Sequence, residues 1–191
     1  TPLKTSFSSN MLALKETKPM TVTLHDGLSH FIDFRRDVIT KRTVFKLNKA
    51  REKANILIGL AIAVNNIDAI IDLIKKSKNP AEAKTKLLNT KWSVKSNITQ
   101  YIKLINPSFK SSASKILLDE EQAKAILELR LQKLTALERD DLFNNLKSLV
   151  DDINNYLKIL NSNKQLLKVL KDELAEIKDN FATPRKTEIQ K

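Results

Sequence analysis

The chain has 191 residues with no cysteine, two glycines and five prolines. That composition excludes disulfides and thiolate metal sites, fits a reducing compartment, and favours long helices with few turns. A net charge of +12 and an isoelectric point near 9.8 admit two readings: a polyanionic partner (nucleic acid or an anionic membrane surface), or a helical protein with solvated lysine faces. Aromatic residues make up 5%, which argues against a base-stacking platform for single strands. No apolar run approaches the roughly 20 residues that span a bilayer.

The sequence opens on Thr1 rather than Met, and its first residues read as mid-element, so a piece of a longer polypeptide is expected. Residues 6–14 and 19–24 carry short apolar–polar alternations, as in Met20-Thr21-Val22-Thr23-Leu24. With a polar turn at 15–18 between them, this predicts a β-hairpin within 1–26. Two strands alone are marginal, so the hairpin is expected to complete a sheet whose other strands lie elsewhere.

His25-Asp26-Gly27 reads as a break. Beyond it Leu28, Phe31, Ile32, Val38, Ile39 and Phe45 fall at helical spacing, and the stripe continues through Ala50, Ala54, Leu57, Ala61 and Val64. One helix over 27–64 would be on the order of 55 Å long at 1.5 Å per residue, a length suited to an arm. Its other faces are basic: Arg35, Arg36, Lys41, Arg42, Lys46, Lys49, Arg51 and Lys53 face only Asp37 and Glu52 within 35–53. Such a rod either attracts passing DNA without sequence preference or is a solvated exterior with intrahelical pairs.

Residues 65–136 read as several short helices. An amphipathic helix is predicted over 69–75. Asn79-Pro80-Ala81-Glu82 starts another, with an N-cap, Pro at the first position and a capping carboxylate. Further helical turns are predicted within 92–105 and a loop over 106–114. Asp119-Glu120-Glu121-Gln122 is a second capping box, opening a helix over 123–134 that is apolar over a broad arc. Such a helix is either buried centrally or faces two partners.

The returning helix, 137–160, carries three heptads over 140–160, with Phe143, Val150 and Leu157 at one position and Leu146, Ile153 and Leu160 three residues on. This is a coiled-coil seam, and it needs a partner of comparable length. The outgoing helix supplies one. Ser162-Asn163-Lys164-Gln165 caps a last helix over 161–181 with Leu166, Leu170, Leu174, Ile177 and Phe181 on one face, and 182–191 reads as an exit linker. The predicted fold is mainly α: a long antiparallel coiled-coil arm, a small helical knob at its tip, and a β-hairpin at the base.

No catalytic constellation is evident. His25 and His30 have no carboxylate framework that would make a metal site, and neither a phosphate-cradling glycine loop nor a nucleophile elbow occurs. Tyr156 sits beside the heptad seam and reads as packing; Tyr101 lacks an arginine-rich neighbourhood that would activate it. A free-standing basic helical adaptor that binds RNA or a partner helix through its seam remains open at this level.

Several words narrow the choice. Thr1-Pro2-Leu3-Lys4-Thr5-Ser6-Phe7, Asn10-Met11-Leu12-Ala13-Leu14 and Phe34-Arg35-Arg36-Asp37-Val38-Ile39-Thr40-Lys41-Arg42 resemble a segment of the A subunits of DNA gyrase, type IIA DNA topoisomerases. So do Gln122-Ala123-Lys124-Ala125-Ile126-Leu127-Glu128-Leu129-Arg130-Leu131-Gln132-Lys133-Leu134-Thr135 and Thr187-Glu188-Ile189. The resemblance covers the whole chain; Lys4 and Ala136 depart from the family's usual Gln and Gly. It implies the distal part of the breakage–reunion region: tower edge, coiled-coil arm and the dimerisation knob that forms the exit gate. The topoisomerase IV A subunit shares this architecture.

By that resemblance Ile126, Leu127, Leu129 and Leu131 are the expected dimer-interface residues, and Arg35, Arg36, Lys41 and Arg42 are the expected DNA-facing ones. The family's nucleophilic tyrosine and winged-helix module precede this segment, so the piece alone is expected to be non-catalytic. It also implies a homodimer closed through the knob, a partner B subunit that binds the ATP and Mg of the holoenzyme, transported double-stranded DNA, and a cytoplasmic location. No cofactor is expected in the segment itself.

Overall fold

The computed structural model describes residues 6, 8–15, 17–94, 96–105, 115–129, 136–184 and 186–187. The expected loop over 106–114 lies outside them. In chain order the elements are β1 (Met11–Lys15), β2 (Lys18–Val22), α1 (Leu24–Asn65), α2 (Ile67–Lys75), α3 (Pro80–Asn89), β3 (Trp92–Ser93), α4 (Ser96–Ile105), β4 (Lys115–Ile116), α5 (Glu120–Leu127), α6 (Ala136–Asn161) and α7 (Asn163–Phe181). The chain divides into two compact units, Thr1–Arg42 with Ser162–Lys191, and Thr43–Asn161.

In the first unit β1 and β2 form an antiparallel hairpin pairing Met11 with Val22 and Lys15 with Lys18. Thr17 takes a φ of 69° in the turn. α1 then starts at Leu24, so His25-Asp26-Gly27 is its first turn and not a break. The reason is a capping box at Thr23. The Thr23 hydroxyl accepts the Asp26 N–H at 3.1 Å, and the Asp26 carboxylate accepts the Thr23 N–H at 3.2 Å and the hydroxyl at 2.6 Å. These bonds satisfy donors that a helix start otherwise leaves open, which offsets the cost of Gly27.

α7 is capped by Ser162, whose side chain accepts the Gln165 N–H. It buries Leu166 and Leu170, but Leu174, Ile177 and Phe181 of the same stripe are exposed. The stripe expected in the first half of α1 behaves alike. Ile39 is fully buried, whereas Leu28, Phe31 and Ile32 are exposed.

The second unit has a closed core. Ala50, Ala54, Ile58, Ala61 and Ile62 of α1 join Leu146, Val150 and Ile153 of α6, together with Ile70, Leu87, Trp92, Ile98, Ile102 and Ile126 from the short elements. The heptad seam is thus the packed face of α6, with Leu146, Val150 and Ile153 buried and its other members, Phe143, Leu157 and Leu160, half-buried. At Asn66 the chain bends by 87° into α2. The Asn66 amide holds the bend, donating to the Ile62 carbonyl at 2.8 Å and the Ser93 carbonyl at 3.0 Å while accepting the Ser93 hydroxyl at 2.6 Å.

Asn79 caps α3 by accepting the Glu82 N–H at 2.8 Å. The Glu82 carboxylate reaches one residue beyond the cap, to the Lys78 N–H at 2.8 Å. The stretch 92–105 is not helical throughout: Trp92 and Ser93 pair with Ile116 and Lys115, and the Trp92 indole donates to the Leu87 carbonyl at 3.0 Å.

Replacing Ile153, which has no exposed surface, with Ala is expected to cost about 2–5 kcal/mol through lost burial and an uncollapsed cavity. Denaturant unfolding should show that loss, whereas Asp151→Ala, on the exposed side of α6, should stay within about 0.5 kcal/mol. The two glycines predict opposite signs. A Cβ on Gly27 meets nothing within 4 Å, while one on Gly59 would lie 2.7 Å from both Cβ and Cγ of Gln122. Gly27→Ala should therefore stabilise by about 0.5–1 kcal/mol. Gly59→Ala should destabilise, because overpacking of about 1–3 kcal/mol outweighs the helix-propensity gain of about 1.

Candidate partner and nucleic-acid surfaces

α5 is positioned from its first residue. Asp119 accepts the Gln122 N–H at 2.8 Å and the Gln122 side chain accepts the Asp119 N–H at 3.0 Å, closing the capping box. Gln122 is itself buried, and its amide donates at 3.0 Å to both the backbone carbonyl and the side-chain oxygen of Asn55 on α1. Asn55 in turn donates to Asp119 at 2.5 Å. Gly59 leaves room for the Gln122 side chain against the α1 backbone. A polar side chain this buried is tolerated because its donors and acceptor are satisfied.

This lock fixes which way α5 faces. Ala123 and Ile126 turn inward, and Glu121, Lys124 and Glu128 turn to solvent. A shallow groove between Glu52 and Ile56 of α1 and Glu121, Lys124, Ala125 and Glu128 runs along the outer side. Of the interface residues expected from sequence, Ile126 is 4% exposed and belongs to the unit's own core. Leu127 packs half-buried against that core. Leu129 is half-buried just past the helix end, and Leu131 lies outside the described residues. α5 ends at Leu127, its last turn tightening as the Leu129 N–H bonds the Ile126 carbonyl; the rest of the helix expected to reach 134 lies, from 130 on, outside the described residues.

The basic residues of α1 separate by partner. Arg35 donates to Glu173 of α7 at 2.7 Å, and Arg42 pairs with the other oxygen of the same carboxylate. Arg36 contacts Asp33 at 3.3 Å and the Asn163 side chain at 3.2 Å, while its Nε is buried without a partner. Lys41 is exposed and has no ion pair among the described residues. In the second unit Lys46 and Lys53 are exposed. Lys49 pairs with Glu52 at 2.8 Å, and hydrogen bonding to that carboxylate raises its pKa.

Sequence reasoning missed Glu173 and the Asn55–Gln122 lock. Both had a signal. Glu173 lies beside Leu174 of the α7 stripe, three residues after Leu170, so a carboxylate borders the apolar face. Gly59 is the one glycine in an otherwise apolar helical run, which marks a close approach.

Among the described residues no three His, Asp or Glu side chains gather as metal ligands would. Tyr101 and Tyr156 both pack half-buried against the core. No single helix among the described residues is long and apolar enough to cross a membrane.

Glu173→Gln is expected to lower stability by about 1–3 kcal/mol, because two charged hydrogen bonds lose their anion. The loss should shrink in high salt, since Arg42 is largely exposed and its half of the contact is screened. Urea unfolding at low and high ionic strength measures both effects.

Comparison with known proteins fits this geometry to a family. The family profile for the DNA gyrase/topoisomerase IV A subunit matches residues 1–175. The DNA gyrase A subunit of Rickettsia felis is 48% identical over 191 residues, covering 100% of this chain and 21% of the relative. The Buchnera aphidicola protein of the same name is 44% identical over 99% of this chain and 23% of its own length. That of Pseudomonas aeruginosa is 39% identical over 99% and 22%. The chain thus spans about a fifth of the length of the curated relatives it matches.

Proposed function

The chain belongs to the DNA gyrase/topoisomerase IV A-subunit family, and from that premise we propose that it forms the exit-gate segment of a gyrase A subunit. The observation that carries the reading is the closed core of 43–161, in which α6 packs its heptad face against the far half of α1 and α5 is locked onto the same helix. A rigid body of that kind can present the end of α5 to a second copy without rearranging itself. In the assembled enzyme, one duplex would pass through a transient break in another and leave as two such bodies part. ATP and Mg would be bound by the partner B subunit. The segment alone would make no DNA break, because the family's nucleophilic tyrosine precedes it.

For the dimer surface, Leu127, Leu129 and Leu131 are the proposed contacts, with Ile126 bracing them from the core side. For DNA, Lys41 stands ready, while Arg35, Arg36 and Arg42 must first give up their partners on or beside α7. Contacts of this kind are weak and salt-sensitive.

The exposed apolar side chains of the first unit, Leu12 and Leu14 among them, support a further element of the reading. We assign them to packing against the remaining four-fifths of an A subunit, whose strands the hairpin would extend.

Sedimentation equilibrium of the 191-residue chain tests the gate. A dimer insensitive to salt is the expected result; a monomer at all concentrations overturns the reading of α5 as a dimer surface. Leu129→Asp should weaken the dimer by about 2–5 kcal/mol by placing an unpaired charge in a desolvated contact. Unchanged affinity removes Leu129 from the surface.

A further inference from the structure

A cavity of about 120 Å³ lies within the 43–161 unit. Its apolar walls are the buried Ile58 and Ile62 of α1, Ile102 and Ile105 of α4, and Ile116 of β4, with the exposed Leu117 at its mouth. The branched Cβ leaves these side chains little χ1 freedom, so the walls do not fold inward to fill the space. Its remaining side is the polar lock of Asn55, Asp119 and Gln122.

The spare hydrogen-bonding capacity of that side has a definite sense. The two amide protons of Gln122 go to Asn55, and its oxygen takes the Asp119 N–H. Asp119 accepts from the Gln122 N–H and from the Asn55 amide. A carboxylate offers about four acceptor sites, so Asp119 retains capacity for a further donor. Asp119 is the one charged side chain in the lining and is exposed, and the isoleucines offer a cation no ligand.

We propose that this cavity binds a small neutral aromatic molecule carrying one hydroxyl or ring N–H, with the ring among the isoleucines and the donor on Asp119. An apolar cavity of about 150 Å³ holds benzene, so the volume here suits one six-membered ring. The inference does not depend on the gate reading.

Phenol is the probe. Titrated into the 191-residue chain carrying 13C-labelled isoleucine methyls, it should produce saturable ring-current shifts at Ile58, Ile62, Ile102, Ile105 and Ile116. The methyls of Ile39 and Ile153, which do not line the cavity, should stay unmoved. Benzene should bind about tenfold more weakly, the equivalent of one hydrogen bond. Asp119→Asn keeps a good N-cap and should bring phenol towards the affinity of benzene. Absence of saturable shifts, or shifts spread over non-lining isoleucines, overturns the site. Equal affinity for phenol and benzene in the unaltered chain overturns the role of Asp119, and that comparison stands even if the variant fails to fold.

Discussion

The absence of a side chain at Gly59 is the constraint on which the 43–161 unit turns. Two helices normally keep 8–10 Å between axes because side chains stand between them. At this point only Gln122 intervenes, close enough that even a methyl group on the glycine would strike it. The short distance lets one amide bridge to the backbone of α1 and also close the capping box of α5. The same contact therefore starts α5, sets its rotation, sends Ile126 inward and leaves Leu127 and Leu129 at the boundary. It also forms the polar side of the isoleucine cavity. Because these outcomes share one set of hydrogen bonds, changes to Asn55, Gly59 and Gln122 should not be additive.

Charge is arranged with less economy than a net +12 suggests. A single carboxylate, Glu173, takes up two of the arginines that make α1 look like a cationic rod. Its placement at the border of the apolar stripe of α7 adds an ionic contact with α1 beyond the two buried leucines. Elsewhere carboxylates serve helix starts. The Thr23 hydroxyl and backbone hold the Asp26 carboxyl below its ordinary range, Lys86 and the Lys78 N–H do the same for Glu82, and Lys84 does so for Glu120. Groups lowered in this way bind protons less readily in the folded state. The stability they lend is present above the ordinary carboxylate range and is lost as pH falls through their folded values. Solvent screens all three, so the contribution of each is small.

Local signals survived the passage from sequence to structure, and those needing a partner did not. The heptads of α6, the Asn79, Asp119 and Ser162 caps and the hairpin all follow from residues a few positions apart, and each is found where spacing puts it. Gly27 misled because a glycine inside a helix and a glycine ending one look alike until the cap at Thr23 is counted. The broad apolar arc over 123–134 left two readings open; at Ile126 the core took the side chain, a choice made by Gln122 on one element and Gly59 on another. The surfaces themselves remained illegible, because whether an arginine is available depends on a glutamate 138 residues away from Arg35.

The two units differ in how far they satisfy their own apolar surface, and the difference follows from what each contains. Among the described residues, 43–161 bring six helices or parts of helices and two short strands around one cluster, and that cluster closes over the seam. The other unit has a hairpin, part of one helix and α7. Its strands alternate so that Leu12 and Leu14 share a face, yet their register partners are Thr21 and Pro19, neither of which offers a large apolar side chain in return. A two-stranded sheet with 75% of Leu12 exposed gains little from burial and relies on its backbone pairing. α7 meets the same limit: after Leu170 its stripe runs out of partners, and Phe181 at its end is 78% exposed. Burial in this unit is therefore concentrated at Val22, Ile39, Leu166 and Leu170, and the ion pair at Glu173 carries a larger share of its cohesion than one ion pair would in a closed core.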